Sequence, residues 1–176
     1  MASETEALLA DGKLAGAWTL DGARSSVGLR TKSVWGLVKV KGVFGQVTGA
    51  AVISAAGEAT GTITVAAASI DTGVKKRDDH LRSADFFDAA KYPDITFSAT
   101  SVTLSGENAT VAGTLTVRDQ TRPVTVSGAV SANGTGEISL DAEIPVNRGQ
   151  YGMSFNQLGM MSLDNVIAIH AVFTKA

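Results

Sequence analysis

From Val124 to Ile144 the chain alternates apolar and polar residues with a period of two. Val124, Val126 and Val130 are interleaved with Thr125, Ser127 and Ala129, and Ile138, Leu140, Ala142 and Ile144 with Ser139, Asp141 and Glu143. Successive side chains of a strand point to opposite faces, so each run has one face for a dry interior and one for water. Between the runs, Asn133-Gly134 supplies residues that accept positive φ, as a tight hairpin turn requires. The segment predicts an antiparallel hairpin.

The same signal recurs along the chain in Val27 with Leu29, Val38 with Val40, Ile63 with Val65, Ile95 with Phe97, and Leu115 with Val117. Expected strands are 17–21, 24–32, 36–54 (bent or broken near Gly45), 60–68, 94–104, 109–118, 122–131, 135–145 and 164–174. Many short strands separated by turn signals indicate a sandwich or a barrel, and periodicity does not choose between them. An eight-stranded barrel either fills its interior with side chains or holds one small ligand. At 176 residues the chain is expected to form one domain over 17–176, preceded by a flexible N-terminal extension over 1–16.

Val74 to Pro93 breaks the alternation. Asp78 is the expected N-cap of a helix, Leu81 and Ala84 follow at helical spacing, and Phe86 pairs in the same way with Ala89 and Ala90. Tyr92-Pro93 ends the helical stretch, because the residue before proline avoids the α region. One or two short helices are expected to cap a barrel mouth and to bury Phe86 or Phe87.

Composition removes several function classes. There is no cysteine, which excludes disulfides, thiolate catalysis and Cys-containing metal sites. The formal net charge is -2, and the basic run Lys75-Lys76-Arg77 is answered at once by Asp78-Asp79, so no nucleic-acid footprint is expected. The first residues are acidic, and Ala7-Leu8-Leu9-Ala10 is too short for a secretory signal. No stretch approaches the length of a membrane span. A cytoplasmic protein without stable membrane insertion is the expectation.

Chemistry-bearing motifs are sparse. The serines form no Gly-x-Ser-x-Gly elbow, and no Walker loop or Rossmann fingerprint is present, so we expect no catalysis, no cofactor and no metal. Of the two histidines, His80 reads as a polar residue at a helix start. His170 lies mid-strand in Val166–Phe173, with apolar residues on both faces. Pointing inward it would hydrogen-bond a ligand's polar group; otherwise protein neighbours satisfy it. Met153, Phe155, Leu158, Met160 and Met161 cluster after Arg148, an adaptable apolar set beside a charge that needs a partner or a ligand oxygen.

One set of motifs is specific. Ser69-Ile70-Asp71-Thr72 is followed by Arg77-Asp78-Asp79-His80-Leu81-Arg82-Ser83-Ala84-Asp85-Phe86-Phe87-Asp88 and then by Tyr92-Pro93-Asp94-Ile95-Thr96-Phe97. Supporting pieces are Trp18-Thr19-Leu20-Asp21, Val40-Lys41-Gly42-Val43-Phe44, Gly113-Thr114-Leu115-Thr116-Val117, and Arg148 ahead of Tyr151-Gly152-Met153. With these, residues 17–174 resemble the YceI-like family of lipocalin-like, polyisoprenoid-binding proteins, in a cytoplasmic variant. Arg24 and Ser33 stand where that family often has histidine, and Gln150 lies where it often has an acidic residue.

The resemblance implies an all-β fold, an eight-stranded antiparallel lipocalin-like barrel with a short helical cap. It also implies a pocket for an apolar small molecule, such as a quinone tail or a polyprenyl compound, and a homodimer. The expected ligand-binding residues are Val27, Leu29, Phe44, Ile63, Val65, Phe86, Phe87, Ile95, Phe97, Leu115, Val126, Leu140, Ile144, Arg148, Met153, Phe155 and His170. Two other readings compete. One is an interaction barrel with no ligand, which dimerises through Ile167, Ile169 and Phe173. The other is an enzyme on a lipid-like substrate, which needs His170, Arg148 and a carboxylate in one cavity.

Overall fold

The computed structural model describes residues 3–156, 159 and 161–176. Eleven strand segments follow one another: β1 (Gly16–Leu20), β2 (Ser26–Ser33), β3 (Val38–Phe44), β4 (Val47–Ile53), β5 (Ala59–Ala66), β6 (Ile70–Asp71), β7 (Asp94–Ser105), β8 (Asn108–Val117), β9 (Gln120–Asn133), β10 (Glu137–Asn147) and β11 (Asp164–Lys175). Two helices, α1 (Glu4–Ala10) and α2 (Lys75–Arg82), complete the elements that matter here.

All pairings are antiparallel, and β1 hydrogen-bonds both β4 and β11, which closes the sheet on itself. The eleven segments amount to eight staves, because β1–β2, β3–β4 and β5–β6 are each one long strand broken once. The chain is thus the closed eight-stranded antiparallel barrel that the resemblance implied. Closure is complete at the α1 end, while toward the flared end Val38–Gly42 of β3 and Gln120–Ser127 of β9 pair on one side only.

The breaks have local causes. At Gly45, between β3 and β4, the backbone N–H turns away to the Ser69 carbonyl. Asp21, after β1, accepts hydrogen bonds from the backbone N–H groups of Ala23 and Arg24. Between β5 and β6, residues Ala67–Ser69 form one turn of 3-10 helix. Beyond these breaks β3 leaves the β4–β5 wall and pairs with β6, and the barrel flares at that end. The Asn133-Gly134 turn forms as expected, with Gly134 at φ 67°. Gly113 is required by a close approach, since a Cβ there would run into the Ser98 carbonyl oxygen.

Inward residues build one continuous core, with Trp18, Leu115, Ile144 and Val111 among its most deeply buried members. The flared mouth is capped by α2 and the turns after it. The helix starts at Lys75, with Val74 in the N-cap position, not at Asp78. Asp78 lies inside the first turn, buried, and accepts from the Thr72 hydroxyl and backbone N–H. Arg82 donates to the carbonyls of Ala68 and Ile70. These contacts staple the helix to the β5–β6 connection. No second helix follows among the described residues: 83–92 is a set of turns that buries both Phe86 and Phe87.

The opposite end is closed by the N-terminal residues, expected to be a flexible extension. Ser3 caps α1 and donates to the Gly106 carbonyl, while the Glu6 carboxylate accepts from the Gly106 N–H. Thr5 Oγ1 accepts from the Ala132 N–H at 2.9 Å, and the Trp18 indole donates to the Leu14 carbonyl. Leu14 is 1% exposed, and Leu8 and Leu9 pack on the core. Among the described residues no helix is long and apolar enough to cross a membrane.

Candidate functional site: an apolar tunnel with a cationic mouth

Eight staves leave a narrow interior, and here it divides in three. Behind the cap lies a chamber of about 260 Å³, walled by apolar side chains including Leu29, Val40, Phe44, Phe87, Val117, Val146 and Ile167. At the α1 end lies a second chamber of about 120 Å³, walled by residues such as Leu14, Trp18, Phe97, Val111, Leu140 and Phe173. Between them Val27, Ile63, Val65, Leu115, Ile144 and Ile169 converge on a waist with only about 20 Å³ of space. One water needs roughly 10–15 Å³ on this measure. A chain-shaped molecule passes the waist only if these side chains part.

The two chambers differ in charge. Among the described residues, the mouth chamber carries Lys32, Arg77, His80 and Arg148 and no carboxylate on its wall. The far chamber carries no ionisable residue among the described ones.

Arg148 organises the mouth. It is 6% exposed and follows β10 in a short 3-10 turn, Arg148–Tyr151. Its Nε donates to the Ser162 carbonyl, Nη1 to those of Met153 and Phe155, and Nη2 to that of Met161. Burial pushes the guanidinium pKa below its ordinary value. Carbonyl dipoles stand in for a counter-ion, and they are the carbonyls that irregular chain over an apolar mouth would otherwise leave unsatisfied. Arg118 and Arg122 repeat the device: Arg118 bridges the Phe86 and Gly152 carbonyls, and Arg122 donates to that of Gln150. The described residues from Arg148 to Asn156 and from Met161 to Leu163 therefore form a lid held down by arginines. Burial also raises the Tyr151 pKa above that of a free phenol.

An aromatic cluster joins lid to cap. The His80 ring stands edge-on to Phe86 and to Phe155, each at 4.9 Å between centroids, and the Arg148 guanidinium lies 5.4 Å from the Phe86 ring centre. His80 Nε2 is 2.8 Å from the Asp85 carboxylate, which fixes the ring plane.

The expected site residues distribute as follows. Leu29, Phe44, Phe86, Phe87, Ile95, Arg148 and Met153 line the mouth chamber. Val27, Val65, Leu115 and Ile144 form the waist, with Ile63 and Phe97 bordering both waist and far chamber, and Leu140 lines the far chamber. Phe155 lies in the lid cluster. Val126 is buried in the core but lines neither chamber. Leu158 and Met160 lie outside the described residues.

His170 is not in the tunnel. Its neighbours Ile169 and Ala171 point inward, so parity sends the imidazole to the outer surface, where the side chain is 46% exposed. There it faces Asp141, its cross-strand partner, at 2.6 Å. The same parity turns Ile167, Ile169 and Phe173 into the interior, where no second subunit reaches them. His170 and Arg148 thus lie on opposite sides of the barrel wall, and the constellation required by the enzymatic reading does not form.

Arg77 and His80 are mouth residues absent from the expected ligand-binding set, His80 having been read as a polar residue at a helix start. Positions 77, 80 and 81 share one face of α2, and Leu81 lines the same chamber.

Comparison with known proteins places this architecture. A family model described as the YceI-like domain matches residues 18–174. Protein YceI of Escherichia coli O17:K52:H18 is 43% identical over 72 residues, which is 41% of this chain and 38% of that protein. Protein YceI of Salmonella arizonae is 40% identical over the same length. The chain thus aligns with well under half the length of these relatives. Among solved structures, Burkholderia cenocepacia BcnA superposes with a TM-score of 0.79 at 26% identity, over 87% of this chain and 98% of that one. A polyisoprenoid-binding domain from Saccharophagus degradans gives 0.74 at 16% identity, over 90% and 98%. A Campylobacter jejuni YceI protein gives 0.70 at 24% identity, over 80% and 87%. On the family match and the barrel together, the chain belongs to the family of YceI-like domains.

Proposed function

We propose that the barrel binds and sequesters an isoprenoid-like amphiphile, with its tail in the apolar interior and its polar end at the mouth. The observation that carries this reading is the mouth chamber, an apolar cavity that meets its cations only at the open end. Burying the tail supplies roughly 25 cal/mol per Å² of apolar surface, before the cost of association. At the mouth, four of the N–H donors of Arg148 go to carbonyls. A guanidinium has about five, and among the described residues none takes the remaining Nη2–H, which would serve a ligand oxygen. Lys32 and Arg77 add donors at the rim. The S. degradans domain, a polyisoprenoid binder of the same fold, supports the ligand class. We read the molecule as a binder: among the described residues the cavity wall is mainly apolar, and its one imidazole, His80, is held by Asp85 and packed between Phe86 and Phe155.

The closed waist favours a second reading, an interaction barrel without ligand. One experiment separates the two. Native mass spectrometry of the purified protein, followed by organic extraction, is expected to release a species of isoprenoid mass. Ile167→Trp, which fills the mouth chamber, should lower uptake of added quinone or polyprenol at least tenfold while the protein stays folded by circular dichroism. An empty protein that takes up neither compound supports the interaction barrel.

A further inference from the structure

The β2–β3 hairpin projects beside the mouth with an unusual surface. No Asp or Glu occurs between Asp21 and Glu58. Within that stretch the hairpin register sets Arg30 opposite Lys41 and Lys32 opposite Lys39. Like charges directly across an antiparallel pair repel, so the ribbon bears a cost on its outer face. Arg30 is answered by Glu143 at 2.6 Å, but Lys32, Lys39 and Lys41 take part in no ion pair among the described residues. The four cations line a groove with β10 and β11 in which Asp164 is the one carboxylate residue.

The tip is the other half of the surface. Residues 34–37 join β2 to β3, and there Trp35 is 66% and Leu37 83% exposed. Val34 and Trp35 hold φ values of 52° and 51°, a conformation costly for a β-branched and a bulky side chain. The chain accepts strain in order to present apolar side chains to the outside. The Trp35 indole lies next to Gly159 of the lid.

We propose that this hairpin is a docking finger for an anionic lipid bilayer. Trp35 and Leu37 enter the headgroup boundary, where an indole is well accommodated, and Lys32, Lys39 and Lys41 sit at the lipid phosphates. Charge and shape agree on this occupant, because an apolar tip above a basic face is what a negatively charged interface accepts. Docking sets the tunnel mouth at the membrane surface, the place from which a water-insoluble occupant must come. The inference does not depend on which molecule the tunnel holds.

The test uses the whole protein and vesicles that contain no isoprenoid. It is expected to float with phosphatidylglycerol–phosphatidylcholine vesicles and not with pure phosphatidylcholine, and to be released by high salt. Trp18 is deeply buried and Trp35 is exposed, so a blue shift of emission and quenching by brominated lipid report the tip directly. K39Q/K41Q should weaken binding about 25-fold, at about fivefold per lysine. W35S/L37S should no longer float with the anionic vesicles and should keep its fold by circular dichroism. The proposal is overturned if the protein ignores anionic vesicles, if K39Q/K41Q binds them as well as the parent, or if Trp35 proves shielded by a second copy in a stable dimer.

Discussion

At the mouth of this barrel, irregular chain lies across an apolar opening and is held by three arginines that donate to backbone carbonyls. At the far end, a seven-residue helix lies across the opening and is held by Thr5, Ser3, Glu6 and three leucines. Both ends solve the same problem, since any segment that closes a barrel brings backbone polar groups with it. A helix satisfies most of its own and needs few outside partners; a lid of turns satisfies few and needs charged donors. The mouth therefore accumulates arginines, where the far end has Lys175 donating to the Lys13 carbonyl and no cation on its chamber wall among the described residues. That asymmetry gives the tunnel a polar and an apolar pole.

The comparison can be broken first at Arg148. Arg148→Met should cost about 3–5 kcal/mol in urea unfolding, because it strands several buried carbonyls together. A loss below about 1 kcal/mol would show that the lid does not depend on the guanidinium. Leu115→Ala acts between the poles: truncating this fully buried side chain should cost about 3 kcal/mol and join the two chambers, seen as uptake of longer-tailed compounds. At the far end, Thr5→Val removes a single acceptor and should cost about 1 kcal/mol, with hydrogen exchange speeding up at the Ala132 amide.

A smaller effect should depend on pH. Burial alone would raise the Asp78 pKa, but the hydrogen bonds from Thr72 outweigh it and hold the carboxyl below the ordinary carboxylate range. Its folded-state pKa is thus lower than its unfolded one, so its contribution is present above about pH 4 and fades as pH falls through the folded value. Asp78→Asn should therefore lower stability at pH 7 and flatten the acid limb of the profile, its difference from the parent closing as pH falls through the folded value. Smallest of all, His170→Ala should change stability by less than about 0.5 kcal/mol and leave ligand uptake unaltered, since the residue is exposed on the outer wall.

Much of this was legible in the sequence, and the exceptions have physical reasons. The Val124–Ile144 alternation gave its hairpin because one face is dry and the other wet. Strand β11 misled because Val166, Ala168 and Val172 make its outer face apolar as well, so periodicity could not say which way His170 points. Val172 stays covered on the outside because its N–H meets Ser25 Oγ at the β1–β2 break. The docked N-terminus carried a signature that went unread: Ser3-x-x-Glu6 ahead of Ala7-Leu8-Leu9 is a helix-start pattern. Here Glu6 reaches Gly106 and not the cap residue, a long-range choice that no local pattern encodes. The lid was legible as a cluster of methionines with one arginine, but not as a set of carbonyls needing donors.

The waist has a kinetic meaning beyond its packing. A molecule that ends short of Leu115 leaves the mouth chamber as soon as its own contacts fail. One that reaches the far chamber must also wait, on the way in and on the way out, for the same side chains to swing apart. Tail length would then be recorded in residence time more than in equilibrium affinity. A protein with this constriction sorts its occupants by how slowly it lets them go.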